Sequence, residues 1–165
     1  MTTEADMLGA LRGLGLEWTL TEHAAVFTVE ESAQLHQDIA GVHTKNLFLK
    51  DAGGQFWLVT APHEARVDLK ALPAAIGSRK LSFGKADDME RLLRIAPGSV
   101  TPLAAYNDGP CAVKVVVDSR LAGQTCVNVH PLRNTATLGL SGHGLLTALA
   151  AWGHRAIVVD LPAPQ

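Results

Sequence analysis

The chain has 165 residues, 47% of them apolar and 18% charged, with 14 Lys and Arg against 16 Asp and Glu and a formal net charge of −2. This combination excludes a disordered chain, which requires low hydrophobicity and high net charge, and the length is enough to bury a core without disulfide or metal staples. No apolar run approaches the roughly 20 residues that cross a bilayer, and an N-terminus carrying Glu4 and Asp6 is unlike a signal peptide, so a cytoplasmic protein forming a single domain over residues 1–165 is expected.

Met7, Leu8, Leu11 and Leu14 recur at helical spacing and end at Gly13 and Gly15, which predicts a first helix over 4–14. Residues 17–22 alternate polar positions with Trp18 and Leu20, as a strand with one buried face does. Thr28 with Glu31 three residues later is a capping-box signature for a short helix through Leu35, and Gly41 interrupts the chain beyond it. Two β-prone runs, 46–50 and 56–61, flank Asp51, Ala52, Gly53 and Gly54 and read as a hairpin. Residues 68–76 read as a helix bent by Pro73, 81–83 as a short strand, and 87–94 as a helix stopped by Pro97. The Pro- and Gly-punctuated segment 97–110 reads as a loop. Strands are expected at 113–118, 126–130 and 135–138, then a helix at 144–152 capped by Ser141, then a last strand at 156–160. Strands outnumber helices and are joined mostly by short turns. The expected fold is therefore α/β of the α+β kind, a curved mixed, largely antiparallel sheet surrounded by helices.

Several familiar chemistries fail on spacing. His63-Glu64 begins like a zinc-protease motif, but position 67 is valine where the second histidine would stand. The seven histidines show no helical pairing, so no metal is assigned. No serine lies in a G-x-S-x-G elbow. Cys111 and Cys126 match no redox or zinc spacing and read as buried apolar residues. Gly139, Gly142 and Gly144 match no nucleotide-binding fingerprint and read as a tight strand-to-helix turn. No cofactor is indicated. The charge is polarised along the chain: residues 1–44 hold Arg12 against seven acidic residues, whereas 66–94 hold seven basic against four acidic. A basic middle keeps a nucleic-acid partner open despite the negative total.

Three features remain. Lys45 stands at the start of the strand running into Asn46, Leu47, Phe48, Leu49 and Lys50, where a lysine either snorkels at a strand end or aims a cation into a cleft. Gly98, Ser99, Val100, Thr101 and Pro102 form a G-x-x-x-P loop whose intervening N–H groups are not expected to be spent in a helix or sheet. His130, before Pro131, places a titratable ring at a strand end, in a structural or a chemical role.

At these residues the chain resembles the aminoacyl-tRNA editing-domain superfamily, which includes the insertion domain of bacterial prolyl-tRNA synthetase and its free-standing YbaK-like relatives. The resemblance covers nearly the whole chain, and the stretch from Lys45 to Asp51 looks closest to the free-standing alanyl-tRNA(Pro) deacylases. It implies a hydrolase that removes alanine in trans from the terminal ribose ester of mischarged tRNA(Pro). The partners implied are the acceptor end of that tRNA and prolyl-tRNA synthetase, with no DNA and no membrane. Open alternatives are a deacylase for Cys- or Ser-tRNA(Pro) and a non-catalytic module binding tRNA or a synthetase.

Such editing has a physical logic. A pocket shaped for proline rejects a smaller amino acid by only about 1–3 kcal/mol per missing methylene, so a second site too small for proline must correct the error. That small apolar pocket is expected to draw on Val29, Ile39 and Leu47. With no protein nucleophile in evidence, a free ribose hydroxyl is expected to position or activate water. Amides of the 98–102 loop would face the oxyanion, and Lys45 would hold the terminal phosphate or ribose. Asn46 and His130 are candidates for orienting the substrate, and Lys50, Arg79 and Lys80 for binding the acceptor stem.

Overall fold

The computed structural model describes residues 4–26 and 28–165, except for the side chain of Val29. The strands are β1 (Thr19–Glu22), β2 (Val42–Asp51), β3 (Phe56–Pro62), β4 (Leu81–Phe83), β5 (Val113–Asp118), β6 (Val127–Val129), β7 (Ala136–Leu140) and β8 (Ile157–Val159). The helices are α1 (Glu4–Gly13), α2 (Val29–Asp38), α3 (Leu72–Ile76), α4 (Ala86–Leu93), α5 (Ser119–Ala122) and α6 (Gly142–Ala151). All eight strands join one sheet in the order β1-β7-β6-β2-β3-β5-β8, with β4 also on β2. Four pairings are antiparallel, and β2–β6, β3–β5 and β5–β8 are parallel. The mixed, largely antiparallel sheet expected from the sequence is thus the fold.

Both faces of the central strands are covered, which is why β3 reads as a nearly unbroken apolar run rather than an alternating one. Leu49, Trp57, Val59 and Val116 pack on one face against Leu72 and Ile76 of α3. Phe48, Leu58 and Val113 pack with Met89 and Leu93 of α4. The largest cluster joins Met7 and Leu11 of α1 to Val115, Val117, Leu138 and, from α6, Leu145 and Leu149. Arg133 ties α1 and β1 together by bonding both Glu4 and Glu22. Among the described residues no helix is long and apolar enough to cross a membrane.

Four local expectations change. The helix at 68–76 is only Leu72–Ile76, because Pro73 sits in its first turn, where a missing N–H costs nothing, and so begins the helix instead of bending it. The 97–110 loop folds into two 3-10 turns, Pro97–Ser99 and Pro102–Asn107, each opened by a proline whose φ is already set. The short α5 adds a helix to those expected; its N-cap is Asp118, whose carboxylate accepts from the Arg120 amide. Both cysteines are free, and Cys111 is exposed where a buried thiol was expected, because it sits in the turn that precedes β5.

The glycines before α6 serve packing. Ser141 caps the helix by accepting from the Gly144 amide, and a Cβ on Gly142 would lie 1.9 Å from the Leu121 carbonyl oxygen of α5. Gly142→Ala should therefore destabilise the fold by about 3 kcal/mol, whereas Gly123→Ala should stay within about 0.5 kcal/mol because nothing lies within 4 Å of its Cβ. Denaturant midpoints of the two variants check this. Equal midpoints would mean that the α5–α6 contact yields without cost.

Candidate active site

The site arises from a change of partner along β2. On one edge β2 pairs with β3 from Thr44 to Lys50. On the other it pairs with β6 only at Val42 and His43, and with β4 only from Leu49 to Asp51. Between those contacts no described strand lines this edge, and the sheet forks. Gly41, at φ 115°, makes the approach to the fork: a Cβ there would lie 2.7 Å from Cys126 Sγ, so only glycine passes so close to β6. The fork opens into a cleft of about 1300 Å³, walled by α2, the start of β2, the end of β3, the 97–100 turn and the ends of β6 and β7.

Of the residues singled out from sequence, Lys45, Asn46, Gly98, Val100 and His130 all line this cleft. Lys45 is the one Lys or Arg among the described lining residues. Asn46 is fixed at both ends of its amide, accepting from Thr60 Oγ1 at 2.6 Å and donating to the Val100 carbonyl at 3.3 Å. It thereby fastens the 97–100 turn into the gap of the fork. Within that turn Ser99 and Thr101 are buried. The Ser99 amide is spent on the Ala96 carbonyl, and Thr101 Oγ1 accepts from the Leu103 amide, so both residues build the turn's shape. Pro102, also buried, opens the second 3-10 turn. A Cβ on Gly98 would meet Asn134 Nδ2 at 3.3 Å, which keeps the turn close to the 134 loop.

Of the small pocket expected from Val29, Ile39 and Leu47, the structure does not bring Ile39 or Leu47 to the cleft. Leu47 points to the cluster under α3, the Ile39 carbonyl accepts from His43 Nε2, and neither side chain is among the described lining residues. The side chain of Val29 lies outside what the structure describes. Apolar contact in the cleft comes instead from Val26, Ala33, Leu35, Val100 and Val129. Lys50, Arg79 and Lys80 gather elsewhere, around the β2–β3 turn. The Lys50 ammonium lies 5.3 Å over the Phe56 ring, the Arg79 amide donates to Asp51 Oδ2, and the Lys80 carbonyl accepts from the Ala52 amide. Lys50 lies five residue steps along β2 from Lys45, about 17 Å at strand rise.

Sequence reasoning missed a histidine cluster. His36 of α2 stacks on His43 with ring centroids 4.1 Å apart and meets His63 edge-on at 4.4 Å. They stand at no metal-ligand or helical spacing in the sequence; the hairpin register brings His43 and His63 together, since the His63 amide donates to the His43 carbonyl. Burial, then the neighbouring His43 and His63, push His36 down to about 4, opposed by Glu64. Burial and Lys45 lower His63, and burial lowers His130. These rings are therefore neutral at pH 7.

A histidine held below its ordinary value makes stability depend on pH with a fixed sign. Between about pH 6.5 and pH 4 the unfolded chain binds a proton at His36 that the folded chain refuses, so stability is full above this window and falls as pH drops through it. His36→Gln should flatten that fall, leaving the part due to His63 and His130. Urea midpoints at several pH values from 7 to 4 check it, and a variant whose midpoint falls as steeply as the parent's would refute the cause.

Comparison with known proteins gives this geometry a family. Residues 23–148 match the model of the aminoacyl-tRNA editing domain. The chain is 38% identical over 162 residues to the prolyl-tRNA editing protein ProX of Acetoanaerobium sticklandii, covering 98% of this chain and 99% of the relative. It is also 38% identical over 156 residues to prolyl-tRNA synthetase associated domain-containing protein 1 of Bos taurus, covering 91% and 90%. Two solved structures share the fold: the hypothetical protein APE2540, with a TM-score of 0.75 at 24% identity over 96% of this chain and 99% of that one, and a proposed trans-editing enzyme for prolyl tRNA synthetase, with a TM-score of 0.72 at 22% identity over 99% of each. On the domain match and these end-to-end relatives, the chain belongs to the aminoacyl-tRNA editing-domain family and is an aminoacyl-tRNA deacylase.

Proposed function

We propose that the protein edits mischarged tRNA(Pro) in trans, hydrolysing the ester that joins alanine to the terminal ribose. The observation that carries this reading is the fork of β2, where Lys45, Asn46, the 97–100 turn and His130 line one cleft. The likeness to a protein named for prolyl-tRNA editing along almost its whole length supports tRNA(Pro) as the carrier. A sheet that draws strands from residue 19 to residue 159 supports reading the chain as one editing domain. A translation substrate puts the work in the cytoplasm, with prolyl-tRNA synthetase as the partner that generates it.

With His36, His63 and His130 uncharged, Lys45 dominates the positive potential among the described lining residues and draws the phosphate or ribose of the acceptor end. A ribose hydroxyl then positions the attacking water, and free amides of the 97–100 turn meet the developing oxyanion. Asn46 keeps that turn in register with β2. His130, half-buried beside the Ala136 carbonyl, orients the substrate from the opposite wall. The apolar lining beside these groups accepts a methyl side chain and turns away the proline ring.

Two experiments test the reading. Release of labelled amino acid from Ala-, Cys-, Ser- and Pro-tRNA(Pro) should be fastest for alanine and lowest for proline; no release from any of them would sink it. Lys45→Ala should slow alanine release by about 100-fold, the scale of a lost electrostatic stabiliser, with an unchanged circular dichroism spectrum. A rate within twofold of the parent would remove Lys45 from the chemistry.

The stem contacts are tested separately. Replacing Arg79 and Lys80 together by Gln should weaken tRNA binding and reduce the slope of log affinity against log salt by about 2, one unit per phosphate contact. Unchanged affinity and slope would move the stem to another surface.

A further inference from the structure

A second group of reactive side chains meets where β5 begins and α6 ends, and none of its members lines the cleft. Cys111 has a left-handed backbone, φ 56°, and is exposed. Its Sγ lies 3.8 Å from Nδ1 of His154. The other ring nitrogen, Nε2, lies 3.0 Å from Oδ2 of Asp108. His154 and Asp108 are 5% and 2% exposed, so the pair is buried beside an exposed thiol. The carboxylate is itself held, accepting from the amides of Ala112 and Val113. A carboxylate only accepts, so the ring donates from Nε2, and in that tautomer the Nδ1 lone pair faces the thiol.

Nucleophile, base and an oriented third group within bonding reach form the arrangement that activates a thiol. A merely structural pairing of His154 with Asp108 would fasten the 108–113 turn to α6 equally well with any small residue at 111. Here the neighbouring backbone makes room for the sulfur: Gly153, at φ 88°, would bring a Cβ to 3.2 Å from Sγ. At rest the thiol donates to the Gly153 carbonyl at 3.3 Å, with the Gly109 carbonyl 3.7 Å away. Cys126 is the internal contrast. It is half-buried, bonded toward Ala40 and Asn128, with no described histidine within reach.

We propose that Cys111, with His154 as its base and Asp108 orienting that base, is a site of covalent modification by low-molecular-weight disulfides. The thiol proton passes to Nδ1, and the sulfur bonds to one sulfur of the disulfide. The reagent's S–S bond breaks, one half stays on Cys111 as a mixed disulfide, and the other leaves as a thiolate that takes the proton. The Cys111 sulfur is oxidised and the departing sulfur reduced, so no other oxidant is consumed. The site stands apart from the editing cleft and does not depend on what that cleft hydrolyses.

The test uses oxidised glutathione on the whole chain, with adducts located and timed by peptide mass spectrometry, in the folded protein and in the urea-unfolded chain. Burial slows a thiol, so a folded Cys111 that reacts about tenfold faster than the same residue in the unfolded chain reports an activating neighbour, and loss of that gain in His154→Asn assigns it to the base. Cys126 should react more slowly when folded. His154→Asn should return Cys111 to its unfolded rate while alanine release from Ala-tRNA(Pro) stays at the parent value. A Cys111 that reacts no faster folded than unfolded overturns the proposal, as does a folded His154→Asn variant that keeps the parent rate. Should that variant fail to fold, the comparison on the unaltered chain decides.

Discussion

The architecture depends on β2 serving three neighbours with two edges. Its ten residues are too long for either β6 or β4 to accompany alone, and the two meet it at opposite ends of one edge. Between those contacts no described strand pairs with this edge, and the 97–100 turn is inserted there instead, held by a side chain. Asn46 makes the insertion specific, since its amide answers Thr60 across the hairpin and Val100 across the gap. The cleft is the remainder of the fork that the turn does not fill.

This origin explains the chemistry the cleft can hold. Strand residues alternate faces, so Lys45 and Asn46 point to opposite sides of β2. Only at a fork, where the edge is open, can consecutive residues line one opening. The same opening admits the histidines, and their crowding has an electrostatic result. Burial and then the neighbouring rings disfavour a proton on His36, and burial and then Lys45 disfavour one on His63, so these two rings enter the cleft without bringing charge at neutral pH. Positive potential is thereby concentrated on Lys45.

Elements set by local chemistry were legible in the sequence: the Thr28 cap, which accepts from the Glu31 amide as the box requires, the Ser141 cap and the β2–β3 hairpin. Lys45, Asn46 and the 98–102 segment could also be singled out, because a lysine leading an apolar strand and a proline-bracketed turn are local oddities. The histidine cluster and the Cys111–His154–Asp108 group were not legible, since each joins residues from elements that only the sheet register brings together. Leu47 shows the same limit in reverse. Its apolar neighbours said that it is buried, but which side of β2 it faces depends on pairing across the whole sheet, and the pairing sends it toward α3.

The strand that makes the cleft also sets the reach of the molecule. Lys45 at one end of β2 and Lys50 near the other lie about 17 Å apart, and one nucleic-acid strand spaces its phosphates by about 3.4 Å along the helix axis, so this interval corresponds to about five nucleotides. A tRNA end anchored at Lys45 would thus bring phosphates several nucleotides inward to the level of Lys50, Arg79 and Lys80. The apolar β2 residues between them, Phe48 and Leu49, are buried and offer the chain nothing to bind. Contact divided between two ends of one rigid strand, with a gap between, uses few phosphates. Few phosphate contacts mean modest affinity that weakens with salt, which suits a protein of net charge −2 whose basic residues concentrate in its middle third and which must release each tRNA once the ester is cut.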